Sequence, residues 1–168
     1  CKGLVHAGQR TGCKGIFCTL SGFIDYFQLE SPLEGELLVI VEEIRKKLRE
    51  AEEKEKIKII YAVESGSRSW GFASPDSDYD VRFIYVRRLE DYLRLDQKRD
   101  VIEWQMDAVF DINGWDIRKT LMQFYKSNAT VFEWSNSPVV YDEAPEWKEV
   151  CQTARAYFSV KAMLYHYY

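Results

Sequence analysis

ESGSRSWGFASPDSDYDVRF, residues 64–83, sets a glycine-serine turn and a pair of aromatics ahead of three aspartates, Asp76, Asp78 and Asp80, spaced two apart. Such a run fits a calcium loop, a solvated turn or part of a catalytic metal site, and its neighbours choose among them. An EF-hand loop opening at Asp76 needs glycine at its sixth position and a bidentate glutamate at its twelfth. This chain has Val81 and Arg87 there. The turn at Gly66-Ser67-Arg68-Ser69-Trp70-Gly71 lacks both the spacing and the lysine of a P-loop. What remains is a strand carrying Asp78 and Asp80 on one face, because side chains two apart point the same way. Two carboxylates so placed reach one pair of divalent ions, and the adjacent Gly66-Ser67 turn offers backbone N–H groups to a phosphate. Carboxylate oxygens bind Mg2+, substrate phosphates bridge it, and two such ions stabilise attacking and leaving oxygens together. That is the chemistry of phosphoryl or nucleotidyl transfer. Asp76, after Pro75, reads as a turn residue.

Outward from this stretch the pattern is α/β (α+β), a small mixed sheet flanked by helices. Leu37, Val41, Ile44 and Leu48 fall on one face of a helix over about 34–54, with Glu and Lys on the solvated face. IKIIYAVE, 57–64, is a buried strand that delivers the Gly66-Ser67 turn into a helix. DVRFIYVRR, 80–88, is the next strand, with Val81, Phe83 and Tyr85 on one face and Asp80, Arg82 and Ile84 on the other. A short helix near LEDYLRL precedes two more strands, DVIEW and DAVFDI. GWDIRKTLMQFYKS, 114–127, reads as a helix with Ile117, Leu121 and Phe124 inward. A shorter helix follows at 129–135, and Pro145 opens another at 145–157.

Gly66-Ser67 followed by Asp78-Tyr79-Asp80, with apolar residues between and after the acids, resembles the signature of the DNA polymerase β-like nucleotidyltransferase superfamily. The longer string YAVESGSRSWGFASPDSDYDVRFIYVR, with DINGWDIRKTL and KSNATVFEWSNSPVVY downstream, is similar to a family of predicted nucleotidyltransferases that includes RNA-ligase-associated proteins. The likeness runs from about residue 57 to 168. It implies a polymerase β-like fold and transfer of an NMP unit from an NTP to a hydroxyl, with release of pyrophosphate and an RNA end as acceptor. Gly66 and Ser67 would contact the nucleotide phosphates, Arg68 either joins them or is ion-paired, and Asp78 and Asp80 would bind Mg2+ or Mn2+. The third carboxylate of the superfamily falls on Asp111, which would complete the metal site and help deprotonate the acceptor. Asp107 and Asp116 are its rivals. An acid between Phe110 and Ile112 is costly without a partner or a metal, whereas the rivals sit at segment ends open to solvent. Lys126 and Asn128 match the family's KSN motif, and Asn128 also suits a helix cap. Trp70, Phe72, Trp115 and Trp134 are open to two uses, core packing or base stacking.

With 46% hydrophobic and 30% charged residues among 168, the chain is globular rather than disordered. A net charge of −4 leaves no overall basic field for a nucleic-acid backbone, so such a contact needs a local patch such as Arg82, Arg87 and Arg88. No apolar run approaches a membrane span and no leader pattern opens the chain, which points to a soluble cytoplasmic protein. Cys1, Cys13, Cys18 and Cys151 are spaced too loosely for a zinc pair, even with His6 among them, and read as free thiols. Residues 1–33 form an N-terminal extension outside the family pattern, and 34–168 the nucleotidyltransferase domain, whose family continues with helices past YHYY; the chain reads as a fragment. Two other readings share the fold: a noncatalytic nucleotide-binding or antitoxin-like module, and an enzyme that nucleotidylates a protein side chain.

Overall fold

β-branched and aromatic runs become strands at five places in a computed structural model that describes residues 33–74, 77–96, 98–106 and 108–167. They are β1 (Lys58–Glu64), β2 (Tyr79–Val86), β3 (Val101–Met106), β4 (Phe110–Asp116) and β5 (Val140–Glu143). The sheet order is β3-β4-β2-β1-β5. β2 and β4 run parallel and the other neighbours antiparallel, so the sheet is mixed. The extension and the cysteines and histidine within it, together with Asp76, Asp107 and His166, lie outside what the structure describes, wholly or in their side chains.

Apolar side chains cover both faces. On one face α1 (Leu33–Glu55) presses Ile44 and Leu48 against Ile59, Val81, Phe83, Tyr85 and Ile112. On the other lie α3 (Ile117–Tyr125), α4 (Ala129–Ser135) and α5 (Pro145–Arg155), whose Phe124, Val131, Trp134 and Trp147 meet Ile60, Tyr61, Val63 and Ile84. A bulge between Ile59 and Tyr61 turns the consecutive Ile60 and Tyr61 to the same side, where Tyr61 stacks on Trp147 at 4.6 Å. Burial of each large apolar side chain contributes about 1.5–3 kcal/mol. The remaining helices are α2 (Leu89–Leu93), which buries no residue, and α6 (Val160–Tyr167).

The structure adds β5 and α6 to the sequence reading and departs from it at four further points. Leu37 is 55% exposed, so the inward stripe of α1 starts a turn later and ends on Ala51. Residues 113–116 are strand, not the start of a helix, and Gly114 is there because the Phe83 ring lies on it: an added Cβ would stand 2.2 Å from that ring. Leu121 faces solvent, and Thr120 takes the buried position beside Phe124. After β1 there is no helix but a single helical turn. Gly71, at φ 75°, lets its N–H reach the Arg68 carbonyl while the Phe72 N–H returns to Ser67, the hydrogen-bond pair that ends helices on a left-handed glycine.

Candidate active site

At the start of β2, the parallel register sets Asp80 directly beside Asp111. Their side chains are 23% and 22% exposed and share one cation, the Arg82 guanidinium, 3.1 Å from Asp80 Oδ1 and 2.7 Å from Asp111 Oδ2. Arg82 lies two residues on from Asp80, on the same face, and it also donates to the Asp111 and Val81 carbonyls. Asn113, one further step along that face of β4, donates to Asp111 Oδ1 at 3.3 Å. Burial raises the Asp80 pKa, Arg82 opposes the rise, and the nearby Asp78 and Asp111 charges add to it. Asp78, just before the strand, is exposed.

Gly66 is fixed by contact. A Cβ there would meet Asp80 Oδ2 at 1.8 Å, so the Asp80 carboxylate rests against the bare Cα of the turn. Behind both sits Glu64, the last residue of β1 and fully buried. Glu64 Oε1 accepts from the Asp80 N–H at 2.9 Å and the Gly66 N–H at 3.4 Å, and Oε2 accepts from the Tyr141 hydroxyl at 2.6 Å. One buried carboxyl thereby ties the glycine turn, the first acidic strand and β5 together. Burial pushes its pKa up against those three hydrogen bonds, and burial, reinforced by the Glu64 carboxyl, pushes the Tyr141 hydroxyl up.

The Ser69 N–H and hydroxyl both return to the Gly66 carbonyl, while the Ser67 and Arg68 N–H groups make no hydrogen bond among the described residues. Among the described residues two backbone donors are thus left unpaired in the turn, directly after the glycine that packs on the Asp80 carboxylate. Arg68 donates to the Ser77 and Asp78 carbonyls at 2.5 and 3.2 Å and lies over the Tyr79 ring, so it fastens the aspartate loop to the turn. A guanidinium has five donors, which leaves others for a ligand.

Asp116 has another use. It is 4% exposed, caps α3 through the Arg118 N–H at 2.8 Å, and accepts from the Tyr92 hydroxyl at 3.0 Å. It stands at the far end of β4, opposite Tyr85, five residues or roughly 16 Å along the strand from Asp111. The expectation that Asp116 is solvated is thus corrected: it is buried and spent as a cap. Of the expected basic patch, Arg82 is taken up by Asp80 and Asp111 and the Arg87 side chain is 7% exposed beside Asp116, while Arg88 is exposed. Asn128 does cap α4, accepting from the Thr130 N–H. Cys151 is a free thiol whose burial pushes its pKa to about 11.

Residues 40–168 match the RNA repair pathway DNA polymerase beta family. The chain belongs to that family. Its mixed five-stranded sheet with helices on both faces is a polymerase β-like fold. Over 121 residues, 71% of this chain, it is 50% identical to "Uncharacterized protein YcgL" of Bacillus subtilis (strain 168). The match covers 46% of that relative, so the chain spans less than half its length. No solved structure matches. Among the described residues no helix of this polymerase beta family member is long and apolar enough to cross a membrane.

Glu64, Arg82, Asn113 and Tyr141 have parts in the site that the sequence reading does not give them. Glu64 left a trace: an acid closing a run of buried apolar residues, directly before the turn, has to find partners inside the protein. The trace of Arg82 was its position two residues after Asp80 on the same strand face.

Proposed function

We propose that the protein is a metal-dependent nucleotidyltransferase that moves an NMP unit from an NTP to a hydroxyl, with an RNA end as the acceptor and pyrophosphate as the leaving group. The observation that carries this reading is the register of Asp80 against Asp111 with the Gly66 Cα packed on the Asp80 carboxylate. Hard carboxylate oxygens suit Mg2+ or Mn2+, and the pair already holds a cation, the Arg82 guanidinium. Among the described residues no three acidic, His or Cys side chains are set to hold a metal as they stand. Arg82 therefore has to yield its place for Asp80 and Asp111 to take an ion, with the exposed Asp78 joining them. Such an ion, when bound, neutralises the phosphates and polarises the bond to the leaving group.

In this reading Gly66, Ser67 and Arg68 hold the β and γ phosphates through the free N–H groups of the turn. The new bond runs from the acceptor oxygen to the α-phosphorus, and the bond from that phosphorus to the bridging oxygen of pyrophosphate breaks. Asp111 takes the proton of the acceptor hydroxyl. The family's association with RNA repair supports an RNA end as the acceptor; a protein hydroxyl is the competing acceptor of the same chemistry.

A second reading has its own observation. Arg82 offsets one of the two acid charges with a cation of the chain itself, as suits a noncatalytic nucleotide-binding or antitoxin-like module. Calorimetric titration with each NTP and Mg2+, into the wild type and an Asp78→Asn, Asp80→Asn double variant, separates the two. Metal-dependent binding of an NTP that the double variant loses supports the transferase, and labelled NTP is then offered to RNA and to protein. Nucleotide binding indifferent to Mg2+ and to the double substitution supports the module. Within the transferase reading, Asp111→Asn slows transfer more than it weakens NTP binding.

A further inference from the structure

A cleft of about 670 Å³ opens beside the glycine turn, with Ser65, Ser69 and Trp70 of that turn in its lining. Its walls come from α4, the segment entering β5 and the C-terminal helices, with Trp70, Phe132, Trp134 and Phe158 as its aromatic lining. Its volume lies within the range of small-molecule sites. The aromatics differ in how far packing consumes them. Trp134 is 7% exposed and packed on Trp115 at 4.2 Å, which makes it floor. Phe132 is wedged edge-on between Phe124 and Phe158, at 5.1 and 4.8 Å. Trp70 is 61% exposed and has no ring partner among the described residues. An indole left bare at the mouth of an aromatic cleft is a surface for stacking another π-system.

The cleft and the acid site meet at the end of β1 and the turn that follows it. Glu64 and Ser65 line it, and the same Glu64 receives the Asp80 N–H. Ser69 lines it too, with its hydroxyl on the Gly66 carbonyl. Polar groups at the rim fix an edge: the Asn136 carboxamide nitrogen donates to the Phe132 carbonyl, leaving its oxygen, and the Ser137 hydroxyl, which donates to the Glu64 carbonyl and accepts from the Val139 N–H, keeps one lone pair.

From this we infer that the cleft holds the base of the donor nucleotide, stacked on Trp70 and Phe132, while the triphosphate lies across the turn toward Asp80. The placement of the triphosphate rests on the proposed function above; the base site itself needs no metal. The shape is sequence-tolerant, since every base has a π-face, and the Asn136 and Ser137 acceptors favour bases with an exocyclic amino group.

Unphosphorylated nucleosides, which carry nothing for the acids or a metal to bind, test the cleft alone. Titrated at millimolar concentration against the full chain, adenosine and cytidine give a saturable response in tryptophan fluorescence or amide shifts, and Trp70→Ala weakens it about tenfold or removes it. Trp70 is exposed, so this variant keeps the fold, and Phe132→Ala is the second variant at the other wall. A nucleoside response that is absent, or that both variants leave unchanged, overturns the inference. In a parallel arm Mg2+ with inorganic tripolyphosphate reports on the acid and turn site alone. Its binding is indifferent to Trp70→Ala, and its failure counts against the proposed function without touching the base site.

Discussion

The two ends of the β2–β4 pair carry the same ingredients, aspartate and arginine, and use them differently. At the far end Asp116 is enclosed, capping a helix, receiving a tyrosine hydroxyl and facing Arg87, so the native structure satisfies it. At the near end Asp80 and Asp111 share one guanidinium and remain about a fifth exposed, and Asp80 abuts a glycine that leaves room for nothing larger than hydrogen. Strands that differ by a few residues along the same register thus hold an acid used up by folding and a pair of acids left over. An ion pair in a protein is no sign of function by itself; the sign is what each oxygen still has to offer after its partners are counted.

The largest effect expected at the near end is on activity. Asp80→Asn lowers transfer by about 100-fold or more, with a melting temperature close to the wild type, because the change acts on charge beside the substrate and not on packing. A fully active Asp80→Asn protein would falsify the role given to that residue. At the far end Asp116→Ala gives the opposite pattern, a loss of about 2–3 kcal/mol in urea unfolding with activity per folded molecule kept. If Asp116→Ala instead spared stability and stopped transfer, the contrast between the ends would be reversed.

Arg82→Met sharpens the contrast. It leaves two part-buried carboxylates facing one another with no counter-charge, so without divalent ions the variant unfolds about 1–3 kcal/mol more easily than the wild type. Mg2+ restores much of that loss and binds the variant more tightly than the wild type, since no guanidinium competes for the oxygens. Thermal melts with and without Mg2+ decide it, and a deficit that Mg2+ leaves untouched shows that Arg82 is only a structural tie.

The smallest effect concerns pH. Glu64 and Asp80 both have raised pKa values in the native state. The folded protein therefore holds these protons more tightly than the unfolded chain, and their contribution favours folding below the ordinary carboxyl range near pH 4. It is lost as pH rises through the raised native values, so these two groups tilt metal-free stability toward acid. Glu64→Gln, whose amide oxygen still accepts from Asp80 and Gly66, flattens part of that slope in melts across pH 4–8, the window set by those ordinary values. An unchanged slope removes Glu64 from the account.

Much of this was legible in the chain. The runs 57–64 and 80–88 are so rich in β-branched and aromatic residues that they allow little else, and the period of two in DVRFIYV put Asp80 and Arg82 on one face before any contact was known. Asp111 was legible through cost, as an acid with apolar neighbours that needed a partner. The misses have physical causes. The turn after β1 begins as a helix does, and its arrest depends on the sign of one dihedral angle at Gly71, which no residue pattern fixes. Gly114 reads as the start of the helix that follows it, whereas its reason lies on another strand, in the Phe83 ring. Asp116 had the signal of a cap, an acid directly before a helical run, but its burial depends on Tyr92 and Arg87 arriving from elsewhere in the chain. β5 is only four residues long and reaches the sheet beside β1, too brief a run to read in isolation.

The single parallel pairing in the sheet has a consequence for the order of assembly. Asp80 and Asp111 meet only when β4 docks alongside β2, after the chain between them has folded back through β3, which is a long-range closure and a slow one. A half-made chain, or one whose sheet has slipped by a residue, presents scattered acids and no paired ones. Divalent-ion affinity would thus be an all-or-none report on correct topology, silent in a nascent or misregistered chain and switched on by the last strand to arrive.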